Sequence, residues 1–185
     1  MVGSRRLPGT RTDRRATIPT SRGEETPLQA TTLILGLGNT LLSDEAVGPR
    51  VVEQLRQEAP AREGIRYLDG GTLSFTLAEP IAAATRLIAV DAARLGEPPG
   101  TVRVFEGETM DHQLRAHAKS VHEVSLADLL DMARLTDSLP SRRALVGIEP
   151  AKIDWGECLS PPVAAAVGEA TARIRALIER WQDGG

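Results

Sequence analysis

Apolar and polar positions alternate along this chain with two periods, and the switches between them lay out its elements. Leu33-Ile34-Leu35 is a short continuous apolar run of the kind a strand buried on both faces requires, and it breaks at Gly36 and Gly38. Helix-like sequence starts after Ser43 and Asp44. Over residues 49–59, Val51, Val52 and Leu55 fall on one side and Glu53, Arg56 and Glu58 on the other, with Pro49 suited to a first turn. Residues 65–68 predict a second strand that runs into Asp69-Gly70-Gly71-Thr72, and residues 74–84 a helix that Pro80 kinks or divides. Leu87-Ile88-Ala89-Val90 is a third strand with Asp91 at its carboxyl end.

Further on, the β-branched alternation of residues 101–105 predicts an edge or antiparallel strand. Residues 107–121 have no firm period and are expected to form a loop with one helical turn. Residues 125–135 predict a helix with Ser125 as its cap and Asp128 at the third position. A last strand over 144–148 precedes a long helix over 163–181, marked by Val167, Ala170, Ile174, Leu177 and Ile178. The order βαβαββαβα implies an α/β fold: a three-layer sandwich with a mostly parallel twisted sheet of about five strands and helices on both faces.

The 185 residues have room for one such domain, over 31–183. With 41% hydrophobic but only 3% aromatic residues, its core is built from Leu, Val, Ile and Ala. Residues 1–30 are of another kind: six arginines among Pro8, Pro19, Pro27 and small polar residues predict a disordered basic extension, with no apolar stretch for a secretory signal. A formal charge of −3 argues against nucleic-acid binding, and no apolar run approaches a membrane span. The single cysteine, Cys158, has no internal partner, which fits a reducing cytoplasm and predicts a small buried hydrophobe.

The chemistry concentrates where strands give way to loops. Gly36-Leu37-Gly38 matches the front of a dinucleotide fingerprint, but Leu41 replaces its third glycine and the acidic residue expected about 20 positions on is missing, so no nucleotide is expected. The turn instead presents Asp44 and Glu45, which suit a cation and repel a phosphate. Glu45 and Asp91 follow separate strands, and His122 precedes a capped helix. Together they form an O/O/N set that suits a borderline divalent metal with open coordination positions. Asp44 reads as a cap or as a partner that orients a ligand. There is no Gly-x-Ser-x-Gly elbow, and His122-Glu123 carries Leu126 where a zinc-peptidase helix needs its second histidine.

Gly36-Leu37-Gly38-Asn39, Leu41-Leu42-Ser43-Asp44-Glu45 with Gly48, Leu68-Asp69-Gly70-Gly71-Thr72, Ala89-Val90-Asp91-Ala92 and Val121-His122-Glu123 occur in an order and spacing that resembles the nickel–iron hydrogenase maturation endopeptidases, over residues 32–181. The resemblance implies a cytoplasmic hydrolase that removes a carboxyl-terminal extension from the hydrogenase large-subunit precursor after nickel insertion. It recognises nickel that the substrate supplies. The family's metal-contacting positions fall on Glu45, Asp91 and His122. The base would be Glu45 or Asp44, and Asp69, Gly70, Gly71 and Thr72 would line the substrate cleft. A metallopeptidase with its own zinc and a non-catalytic nickel-handling module are the alternatives. The arginine-containing amino terminus lies outside the family pattern.

Overall fold

Every residue of β1 (Thr32–Leu37) is buried, which the apolar run demands and which takes the strand through Gly36. The computed structural model describes Met1 and residues 31–58, 63–116 and 124–183. Both the basic extension expected before residue 31 and the segment that carries His122 lie outside the described residues. A single 3₁₀ turn, Ser43–Ala46, leads from β1 into α1 (Val47–Glu58). There follow β2 (Ile65–Gly71), α2 (Ala78–Ala82), β3 (Arg86–Ala92), β4 (Val102–Glu106), α3 (Glu108–Ala116), α4 (Leu126–Leu135), β5 (Arg142–Ile148) and α5 (Pro161–Asp183).

The five strands form one sheet in the order β2-β1-β3-β5-β4. All neighbours are parallel except β4, which runs antiparallel to β5 at the edge, as its alternating sequence predicts. Helices cover both faces, so the fold is the expected α/β sandwich. On one face α1 and α5 press Val51, Val52, Leu55, Ile174, Leu177 and Trp181 onto Ile34, Ile88, Val90 and Val146. On the other, Ile81, Met110, Leu126, Leu129 and Leu130 cover Leu33, Leu35, Leu87 and Ala89. Each fully buried Leu, Ile or Val side chain contributes about 1.5–3 kcal/mol.

Three local expectations need correction. Residues 107–121 do not form a loop with one turn, because α3 takes up nine of them. Buried Met110 and half-buried Leu114, one helical turn apart, supply its apolar stripe, while Asp111 pairs with Arg143 of β5 at 2.7 Å and with Arg134 of α4 at 3.0 Å. Pro80 neither kinks nor divides a helix. The segment opens as a 3₁₀ turn, Phe75–Leu77, and Pro80 then falls in the first turn of α2, where no N–H is missed. Cys158 is exposed, not buried. Ser125 caps α4 as predicted, accepting from the Asp128 N–H while the Asp128 carboxylate accepts from the Ser125 N–H.

Candidate active site

Two glycines fix where the first helix lies. A Cβ on Gly48 would stand 2.3 Å from the Leu37 carbonyl oxygen and 2.4 Å from that of Val90, and one on Gly36 would stand 2.6 Å from the Gly48 oxygen. Only bare backbone permits this approach, so the first turn of α1 rests on the carboxyl ends of β1 and β3 together. The 3₁₀ turn just before it overhangs the same edge. Gly38 completes the arrangement: with φ +129 and the Glu45 carbonyl 1.7 Å from where a Cβ would be, it accepts no other residue.

This corner is where the sheet order reverses. From β1 the chain passes to β2 on one side, and from β3 to β4 and β5 on the other. A crevice opens at such a switch point, outside the carboxyl ends of the strands, and open parallel sheets bind their ligands there. Glu45 stands on the overhanging turn, and Asp91 comes directly after Val90, whose carbonyl the Gly48 backbone touches. Distant in sequence, both residues stand at the carboxyl edge of the sheet. By the alternation of β3, Asp91 shares the face of Leu87 and Ala89, which α4 covers. His122 precedes the cap of α4 but is not among the described residues, and the described residues contain no group of three or more His, Cys, Asp or Glu side chains able to hold a metal.

Asp44 and Glu45 have opposite surroundings. Asp44 is fully buried. Its Oδ2 accepts from the N–H groups of Ala151 at 2.9 Å and Lys152 at 3.0 Å and from the Ser160 hydroxyl at 2.8 Å, while Oδ1 accepts from the Ser160 N–H at 2.6 Å. Burial pushes its pKa up, but the four donors outweigh this and hold the carboxyl below its ordinary range. Glu45 is only partly buried, and no described residue hydrogen-bonds to or pairs with its side chain. One carboxylate is saturated and the other is open to a ligand.

The loop that holds Asp44, residues 149–160, follows β5 and is fastened to the turn at further points. The Ser43 hydroxyl donates to the Asp154 carbonyl at 2.9 Å and accepts from its N–H at 3.1 Å. The N–H of Ser43 donates to the Gly156 carbonyl, and that of Gly156 to the Leu41 carbonyl. Ser43 pays for these contacts with φ 40, a left-handed conformation that costs a non-glycine residue about 1–2 kcal/mol. The sequence contains no sign of this fastening, because most of its donors are backbone N–H groups, which any residue supplies.

At the end of β2 the four expected cleft residues divide. Asp69 is exposed, its Oδ1 accepts the Gly71 N–H at 2.9 Å, and it lines a groove of about 240 Å³ with Thr40, Arg50, Glu53 and Arg56. Gly70 faces inward, where a Cβ would meet the ends of the Leu35 and Leu37 side chains at 2.8 and 3.0 Å. Gly71 faces open space at φ +51, and Thr72 is exposed.

The family of hydrogenase maturation proteases named HycI matches residues 49–177. A hydrogenase expression/formation protein, HoxM, of Cupriavidus necator is 35% identical over 148 residues, which span 80% of this chain and 73% of the relative. The hydrogenase 2 maturation protease of Escherichia coli is 35% identical over 147 residues, spanning 79% of this chain and 89% of that protein. In solved structures, the Escherichia coli hydrogenase maturating endopeptidase HybD superposes with a TM-score of 0.74 at 32% identity, over 81% of this chain and 93% of the other.

Proposed function

Since the chain belongs to the hydrogenase maturation protease family, we propose that it is an endopeptidase that removes the carboxyl-terminal extension of a nickel–iron hydrogenase large-subunit precursor. One observation supports the reading: the turn that carries Glu45 overhangs the carboxyl ends of β1 and β3, the strand that carries Asp91, at the switch point of the sheet, where a substrate enters from outside the strands. Nickel arrives with the precursor. Glu45, Asp91 and His122 offer it two oxygens and a nitrogen, an incomplete set that leaves room for the precursor's own ligands.

Glu45 is the base in this scheme. It takes a proton from the attacking water as the water oxygen bonds to the scissile carbonyl carbon, and the proton then passes to the departing amine as the C–N bond breaks. The saturated hydrogen bonds of Asp44 support a different role, in which it holds the turn so that Glu45 keeps its position. Asp69, Gly70, Gly71 and Thr72 flank the path of the extended substrate.

The test is incubation of the purified protein with nickel-loaded and nickel-free precursor, followed by intact mass. Loss of the extension from the loaded form alone is the expected result. Equal cleavage of both forms would remove the nickel requirement, and cleavage of neither would remove the protease reading.

A further inference from the structure

Among the described residues the large hydrophobic side chains exposed to solvent are Met1, Leu41, Phe75, Met132, Leu135 and Trp155. Leu41, Phe75 and Trp155 stand on the segments that follow β1, β2 and β5, so all three lie at the carboxyl edge of the sheet. Leu41 and Trp155 are also neighbours. Leu42 and Gly156 form an isolated parallel bridge and the Gly156 N–H donates to the Leu41 carbonyl, so the backbone segments that carry Leu41 and Trp155 run side by side at this point.

Trp155 is 78% exposed, yet the loop that carries it is fixed. Asp44 holds the loop at Ala151, Lys152 and Ser160, Ser43 holds it at Asp154, and Leu41 holds it at Gly156. An exposed indole on a locked loop has already lost the freedom that binding would otherwise cost. Folding has no use for the ring: the other tryptophan, Trp181, is buried in the core at 4% exposure. Tryptophan is among the residues that carry most of the energy of protein–protein association, and an exposed apolar patch around it marks a binding surface.

We infer that Leu41 and Trp155 form a docking platform for an apolar side chain of the precursor, close to the bond that is cut. The inference rests on the protease reading above and adds the surface that recognises the substrate. The occupant follows from continuity, because Leu41 stands two residues before the 3₁₀ turn, Ser43–Ala46, that carries Glu45. A polypeptide with its scissile bond at Glu45 then lies within a few residues of the platform.

Precursor processing by Trp155→Ala and by the double variant Leu41→Ala/Trp155→Ala tests this, with KM and kcat measured separately. The expected result is a KM raised about tenfold or more, a kcat within about twofold of wild type, and an unchanged melting temperature, since both side chains are exposed. Trp155→Phe restores most of the affinity. In parallel, adding precursor to the wild type shifts the Trp155 emission to the blue, and Trp155→Phe, which keeps only Trp181, shows no shift. Processing with an unchanged KM in both alanine variants overturns the platform and leaves the protease reading intact. A blue shift without cleavage keeps the platform and overturns the protease reading. A blue shift that appears on concentrating the protein alone means that a second copy covers the patch, and overturns the assignment to the precursor.

Discussion

Ser160 holds Asp44 with both of its polar groups, its N–H at 2.6 Å from Oδ1 and its hydroxyl at 2.8 Å from Oδ2. This double contact joins the start of the last helix to the turn after the first strand. A neutral amide in place of the carboxylate offers one acceptor where there were two, and turns an NH₂ group toward N–H donors. Asp44→Asn is therefore expected to lower stability by about 2–3 kcal/mol, measured by urea unfolding. An equal midpoint and slope for variant and wild type would show that the anchor carries no weight.

The same carboxylate gives a pH dependence of known sign. Its folded pKa lies below the value of about 4 for an unfolded aspartate, so its stabilisation is complete at neutral pH and is lost as the solution is acidified through pH 4 and below. Asp111, lowered by hydrogen bonds from Arg143 against the opposing effect of burial, adds to the loss in the same window. Melting temperature is expected to stay level between pH 6 and 8 as far as these two groups decide it, and to fall steeply in acid. Asp44→Asn should make that acid slope shallower.

At Gly48 two physical effects disagree in sign. Helix propensity favours Gly48→Ala by up to about 1 kcal/mol. Packing opposes it, because the new methyl would meet two backbone oxygens at 2.3 and 2.4 Å that no rotamer change can move. We expect packing to win, with a net loss of about 1–3 kcal/mol in a denaturant titration. Processing should suffer as well, since α1 can make room only by lifting the 3₁₀ turn from the sheet edge.

Glu45 is expected to behave in the opposite way. Glu45→Gln keeps the size and loses the charge of a partly buried side chain that no described residue pairs with, so the melting temperature should stay within about 1 °C of wild type. Precursor processing should fall by about a hundredfold or more. Retained processing would take the base away from Glu45.

The sheet was legible because its central strands are continuous apolar runs that leave no other reading, and the reversal at β4 was legible from its alternation. Asp91 was placed at the carboxyl edge because it follows such a run directly, and Glu45 because it stands on the turn that joins the first strand to the first helix. α3 was not legible: with Met110 and Leu114 as its whole stripe, its order depends on ion pairs to Arg143 and Arg134 from distant elements, which no local window contains. The cage around Asp44 escaped for a related reason. Its donors are mostly peptide N–H groups, so nothing in residues 151–160 spells it, and Asp44 and Glu45 look alike in a row of letters although one is sealed and the other open.

The contact between Asp44 and Ser160 spans 116 positions. During translation the turn that carries Glu45 leaves the ribosome early and waits for most of the remaining chain before it can set. Until then the backbone and side-chain contacts that residues 151–160 make to Ser43 and Asp44 cannot form, so the turn takes its final shape only with the last part of the chain.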